Sequence, residues 1–123
     1  MTAKYRLSAA AREDIVELLA WTDEHFGELA RLRYERLLAT ALRDVAADPE
    51  RPGSIKRPDL GEQVRSYHLR HSRERARHES GIVRNPRHFL LYRAVRSGVI
   101  GVGRVLYDAM DLERHLPSAY GDE

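Results

Sequence analysis

Apolar and polar positions change period several times along the chain, and each change marks an element. Lys4–Leu7 sets Tyr5 and Leu7 on one face, which predicts a short strand, and Ser8 follows as an N-cap. From Ala9 to Phe26 the period becomes helical, with Ala11, Ile15, Leu18, Leu19, Thr22 and Phe26 on one stripe. Glu13 and Asp14 read as first-turn acids, where the helix dipole favours them, and Gly27 as a left-handed stop. A second stripe follows through Ala30, Tyr34, Leu37, Leu38, Ala41, Leu42 and Val45, and Asp48-Pro49 ends it. Two helices joined by about one glycine must fold back as an antiparallel hairpin.

The period then shortens. Asp48–Gln63 is a loop by its prolines and glycines. Val64–His71 alternates, with Tyr67 and Leu69 opposite Ser66, His68 and Arg70, and reads as a strand. Ser72–Arg87 is polar and basic and reads as a long, mobile connection. His88–Val95 and Val99–Tyr107 are strong strands joined by a tight turn at Ser97-Gly98. Gly101 and Gly103 leave room on one face of the second for a close neighbour. Leu112–Leu116 suits a short terminal helix, and residues 117–123 a frayed tail. The expected fold is α+β: a helical hairpin packed on a small, mainly antiparallel sheet, in the order β-α-α-β-β-β, as one domain over residues 1–123.

Composition narrows the function classes. There is no cysteine, so disulfides, thiolate metal sites and thiol nucleophiles are excluded. No apolar run approaches the roughly 18 residues of a membrane span, and the N-terminus lacks a signal-peptide core. These absences point to the cytoplasm, with no membrane partner. The formal net charge is +2. Its distribution is uneven: residues 1–63 carry −2, residues 64–107 carry +8, and residues 108–123 carry −4. Within the basic stretch, all ten cations are arginine.

Candidate chemistry is sparse. His68 and His71 are three apart, which on a strand separates their faces, and no His-x3-His pair exists, so no metal site is expected. Asp108 and Asp111 follow the last strand, and Asp111 reads as the cap of the terminal helix, with Glu113 in its first turn. No phosphate-loop, dinucleotide or nucleophile-elbow motif occurs, and no cofactor is expected. The basic stretch suits either nucleic-acid phosphates or the carboxylates of an acidic protein.

Several local strings resemble the ParE branch of the RelE/ParE toxin superfamily of type II toxin–antitoxin systems. Tyr5–Gly27 (YRLSAAAREDIVELLAWTDEHFG) is similar to that family's opening strand and helix. Ala47–Pro52 with Gly61 resembles its post-helix loop, and HFLLYRAV resembles its central strand. Arg104–Leu116 (RVLYDAMDLERHL) resembles its ending, with Tyr107 where the family often has His. The connection through Arg73–Arg87 is longer than is usual there.

The resemblance implies a toxin that inhibits DNA gyrase and is neutralised by a ParD-like antitoxin, in a hetero-oligomer that is a heterotetramer or larger. Operator DNA would be reached only through the antitoxin. Arg70, Tyr92, Arg93 and Arg104 are the residues it suggests for antitoxin binding. Asp108, Met110, Asp111, Arg114, His115 and Leu116 are those it suggests for the target. Two alternatives stay open. One is a RelE-like, metal-independent mRNA endonuclease with Arg93, Arg104 and Tyr107 in its site. The other is an inactive toxin that acts only in an operon-repressing complex. The favoured reading carries no catalytic residue. The antitoxin resemblance favours carboxylates over phosphates as the partner of the basic stretch, with residues 73–87 left open to DNA or gyrase.

Overall fold

A computed structural model describes residues 4–109 and 112–122 of the chain. Strand β1 (Lys4–Leu7) leads into helix α1 (Ala9–Phe26), and helix α2 (Glu28–Ala47) follows after one glycine. Strands β2 (Ser54–Lys56), β3 (Arg65–His68), β4 (His88–Arg96) and β5 (Val99–Tyr107) complete one sheet. Short 3-10 turns at Leu69–Ser72 and Leu112–His115 follow β3 and β5. The sheet order is β1-β5-β4-β3-β2, with β1 parallel to β5 and every other pair antiparallel. The α+β order read from the sequence therefore holds, with β2 as an added three-residue strand inside the expected loop.

Local chemistry sets the boundaries. The Ser8 hydroxyl oxygen accepts from the Ala11 N–H at 3.0 Å, which caps α1. The same hydroxyl donates to the Gly103 carbonyl at 2.7 Å and ties the cap to β5. Gly27 takes φ +92° between the helices, a conformation other residues rarely adopt. Arg31 then reaches back across the hairpin to Asp23 at 2.7 Å and along α2 to Glu35 at 2.6 Å. Glu13 and Asp14 lie beyond the first turn of α1, which contains no acid. Gly98, at φ +74°, closes the two-residue turn between β4 and β5.

The core lies between the helical hairpin and one sheet face. Leu37, Leu38, Ala41, Leu42 and Val45 of α2 pack there against Tyr67, Leu90, Tyr92, Ile100, Val102 and Val105. A smaller cluster of Val64, Leu91, Leu106 and Tyr120 covers the opposite face. Here the structure departs from the expected frayed tail. A Cβ added at Gly101 would lie 1.9 Å from the Tyr120 carbonyl, and one at Gly103 would lie 2.6 Å from Pro117. The neighbour that these glycines admit is the chain's own C-terminal segment. Tyr120 is buried, and Arg93 stacks over its ring at 4.5 Å.

Two further expectations change. Strand β3 stops at His68 because the His68 Nδ1 accepts the Arg70 N–H and turns the chain into the 3-10 segment. The basic connection carries no helix or long strand, yet it is tied down. The buried Asp44 carboxylate binds Arg75 at 3.2 Å, Arg51 at 3.3 Å and the Ser72 hydroxyl at 2.7 Å. Arg73 donates to the Arg84 carbonyl at 2.8 Å and closes the loop on itself. Ala76 is buried in the main core, and Val83 packs against it.

Candidate functional site

A concavity of about 1200 Å³ opens where the helical hairpin, residues 77–87 and the ends of β4 and β5 meet. Its apolar wall comes from Leu18, Trp21 and Phe26 of α1, Ala30 of α2, and Ile82 and Val83. Trp21 is 53% exposed and Phe26 68%. Phe26 was expected on the buried stripe; it lies instead on the groove side of the hairpin tip, with Trp21 packed edge-on beside it at 5.6 Å. Arg33, Arg77, Arg84 and Arg87 also line the groove, and no carboxylate does among the described residues. An apolar cleft with an arginine rim suits an amphipathic ligand that carries acids.

The inner end of the groove is a polar chain of aromatic residues. The Arg87 N–H donates to the Tyr34 hydroxyl at 3.2 Å, and Tyr34 Oη lies 2.7 Å from His88 Nδ1. The phenol oxygen accepts the Arg87 N–H, and its own O–H donates to His88 Nδ1 when that nitrogen carries no proton. This leaves the imidazole neutral with its proton on Nε2. Burial drives the same outcome and lowers the His88 pKa to about 4, against a smaller opposing pull from Asp108. Burial likewise raises Tyr34 to about 12. Tyr107 packs edge-on against His88 at 5.8 Å, and the Arg87 guanidinium lies over its ring at 5.2 Å.

Asp108 joins this cluster to the C-terminal segment. Its carboxylate accepts from Arg87 Nε at 3.1 Å and sits 3.0 Å from His68 Nε2. Burial acts to raise its pKa, but the bonds from His68 and Arg87 outweigh that and hold it below the ordinary range. Among the described residues, no group of three His, Asp or Glu side chains is arranged to hold a metal ion. No described helix is long and apolar enough to cross a membrane.

The residues singled out from sequence fall in different places. Arg93 and Arg104 are engaged within the chain: Arg93 pairs with Asp122 at 3.2 Å, and Arg104 holds Asp14 through two bonds of 2.7 and 2.8 Å. Asp14 also accepts the Val105 N–H at 2.9 Å, where β1 has ended and the edge of β5 would stand open. Tyr107 faces the groove instead, so Arg93, Arg104 and Tyr107 do not converge on one point. Tyr92 was expected to face the antitoxin. It is wholly buried, and its hydroxyl donates to the Pro49 carbonyl at 2.6 Å, supporting the loop before β2. Arg70 is exposed on the 3-10 turn after β3.

Of the segment expected to meet a target, Asp108 is clamped as described. The His115 carbonyl accepts from Arg104 at 3.2 Å, Arg114 is exposed, and Leu116 is 43% exposed. Met110 and Asp111 lie outside the described residues, and with Asp111 goes the reading of it as a helix cap.

Sequence reasoning missed Trp21, Arg33, Tyr34, Arg84 and His88 as groove residues. One signal existed for Trp21: a large apolar residue one position off the buried stripe of α1. The comparisons with known proteins add one match. The family model described as the ParE toxin of type II toxin-antitoxin system, parDE, covers residues 5–112. No curated protein matches the chain.

Proposed function

Because the chain belongs to the ParE toxin family of type II toxin–antitoxin systems, we propose that it inhibits DNA gyrase and is neutralised by a ParD-like antitoxin. The groove is the observation that supports the antitoxin half of this reading. Its wall of Leu18, Trp21, Phe26 and Val83 takes the apolar face of an inserted segment, and Arg33, Arg77, Arg84 and Arg87 take the acids beside it. Arg84 is exposed, and among the described residues its guanidinium has no partner, so it is ready for a carboxylate. Arg70, Arg93 and Arg104 act behind this surface or away from it. The complex is a hetero-oligomer, a heterotetramer or larger, formed in the cytoplasm, and it meets operator DNA through the antitoxin.

The target half rests on the C-terminal segment Asp108–Leu116, which includes Met110, Asp111, Arg114 and His115. It follows the last strand next to the groove, and Leu116 supplies an exposed apolar contact. The protein works as a binding inhibitor with no catalytic residue and no cofactor. A supercoiling assay with purified toxin and gyrase tests this. The expected result is dose-dependent loss of supercoiling with trapped cleaved DNA, abolished by the antitoxin. Full supercoiling and no trapped complex at micromolar toxin would overturn it.

A further inference from the structure

One side chain belongs both to the groove and to the C-terminal segment. The Arg87 guanidinium lies over Tyr107 on the groove wall, and its Nε bonds both Asp108 oxygens at 3.1 and 3.4 Å. Asp108 is the first residue after β5, and its N–H donates to the Arg87 carbonyl at 2.8 Å. The pair is partly exposed, with side-chain accessibilities of 47% for Arg87 and 29% for Asp108. An ion pair this wet is a weak bond that another carboxylate can take over.

We propose that Arg87 couples the two surfaces: an acidic residue of a groove-bound segment draws the guanidinium from Asp108 and loosens the start of the target-binding segment. The proposal rests on the reading of the groove given above and adds its regulation. Among the described residues, the Asp108 carboxylate then keeps His68 Nε2, at 3.0 Å, while its N–H stays on the Arg87 carbonyl. The far end of the segment stays held by Arg104 on the His115 carbonyl and, beyond it, by Arg93 on Asp122. Neutralisation thus has a component besides steric cover. Filling the groove alters the segment that meets the target, through competition of two carboxylates for one cation. Such coupling is reciprocal, so whatever weakens the Arg87–Asp108 pair strengthens binding in the groove.

Reciprocity supplies the test. The probe is a synthetic helical peptide with leucines on one face and glutamates on the other, titrated into the full chain. Trp21 is the only tryptophan and lines the groove, so its emission reports occupancy directly. Asp108→Asn removes the competing charge and keeps the shape. The expected result is two- to fivefold tighter peptide binding, about what an exposed pair is worth. In the Arg87→Ala background the same Asp108→Asn change has no effect. A groove that binds the peptide equally well, or less well, after Asp108→Asn overturns the coupling and leaves the groove assignment standing. Tightening of the same size in the Arg87→Ala background also overturns it, since the gain would not pass through Arg87. A wild-type chain whose Trp21 emission ignores the peptide overturns the groove assignment itself and the coupling with it. Melting curves of each variant confirm that the compared chains are folded.

Discussion

The neutral His88 makes the stability of this protein fall in mild acid, in a window set by one hydrogen-bond chain. Free histidine takes up its proton near 6.5. In the fold, His88 Nδ1 accepts a hydrogen bond from the Tyr34 hydroxyl while Tyr34 accepts one from the Arg87 N–H, and burial holds the imidazole pKa at about 4. The charged groups that bear on it are Asp108 and Asp14, which favour protonation, and His68 and Arg87, which oppose it. A folded pKa below the unfolded one means that the unfolded chain binds the extra proton. The stabilisation is therefore complete above about 6.5 and is lost as the pH falls towards about 4. At 1.36 kcal/mol per pH unit the full window is worth about 3 kcal/mol, and partial access of the ring to groove solvent brings the expectation to about 2 kcal/mol. His88→Asn keeps an acceptor for Tyr34 and removes the titration. Urea unfolding of both chains at pH 7.5, 6.5, 5.5 and 4.5 gives the comparison at constant ionic strength. The wild type should lose about 2 kcal/mol more than His88→Asn across that range. Stability curves that run parallel from neutral pH to 4.5 would refute the neutral-imidazole argument.

Three other perturbations probe separate joints of the fold. Gly101→Ala sets a Cβ 1.9 Å from the Tyr120 carbonyl and should dislodge the C-terminal segment, costing about 1–3 kcal/mol and speeding carboxypeptidase trimming. Asp14→Ala strips Arg104 of two short bonds and leaves the Val105 N–H without its acceptor, so urea melts should show a loss of about 2–4 kcal/mol. Asp44→Asn weakens the hold on Arg51, Arg75 and Ser72, and limited trypsin digestion should then cut within residues 73–77 faster than in the wild type, at a stability cost of about 1–3 kcal/mol.

The elements were legible because each carries a local cause. Ser8, Gly27 and Gly98 sit where a cap, a reversal and a tight turn require them, and the helical stripes run between these marks. What the sequence conceals begins where a second segment decides a side chain's fate. Strict alternation along β5 would put Val105 and Tyr107 on the same face as Gly101 and Gly103. The register instead shifts between Leu91 and Tyr92, leaving Gly103 as the extra residue. Val105 therefore joins the helix-side core, and Tyr107 turns to the groove beside His88. Leu106 takes the opposite face, where the tail covers it. One inserted glycine thus builds the inner wall of the groove and clears the channel for the tail, and periodicity cannot register it.

Charge was misread for a related reason. An arginine on a strand announces a carboxylate, but the sequence does not say whose. Arg104 finds Asp14, ninety residues earlier, because the end of β1 leaves the edge of β5 open to α1. Arg93 finds Asp122 because two glycines on β5 let the tail lie down beside it. Arg75, in the stretch that looked most free, is drawn to the buried Asp44 of α2. Arg70 and Arg96 stay exposed elsewhere on the surface, but four cations gather around the groove, where no described carboxylate lines the wall: Arg33 donates to the Ser80 hydroxyl, Arg77 pairs with an exposed Glu74, Arg84 has no partner among the described residues, and Arg87 shares itself with Asp108. The basic middle of the sequence is thus divided by the fold. One part fastens the C-terminal segment and the long loop to the rest of the chain. Another part, Arg77, Arg84 and Arg87, lines one apolar cleft, where a partner that brings its own acids meets little internal competition.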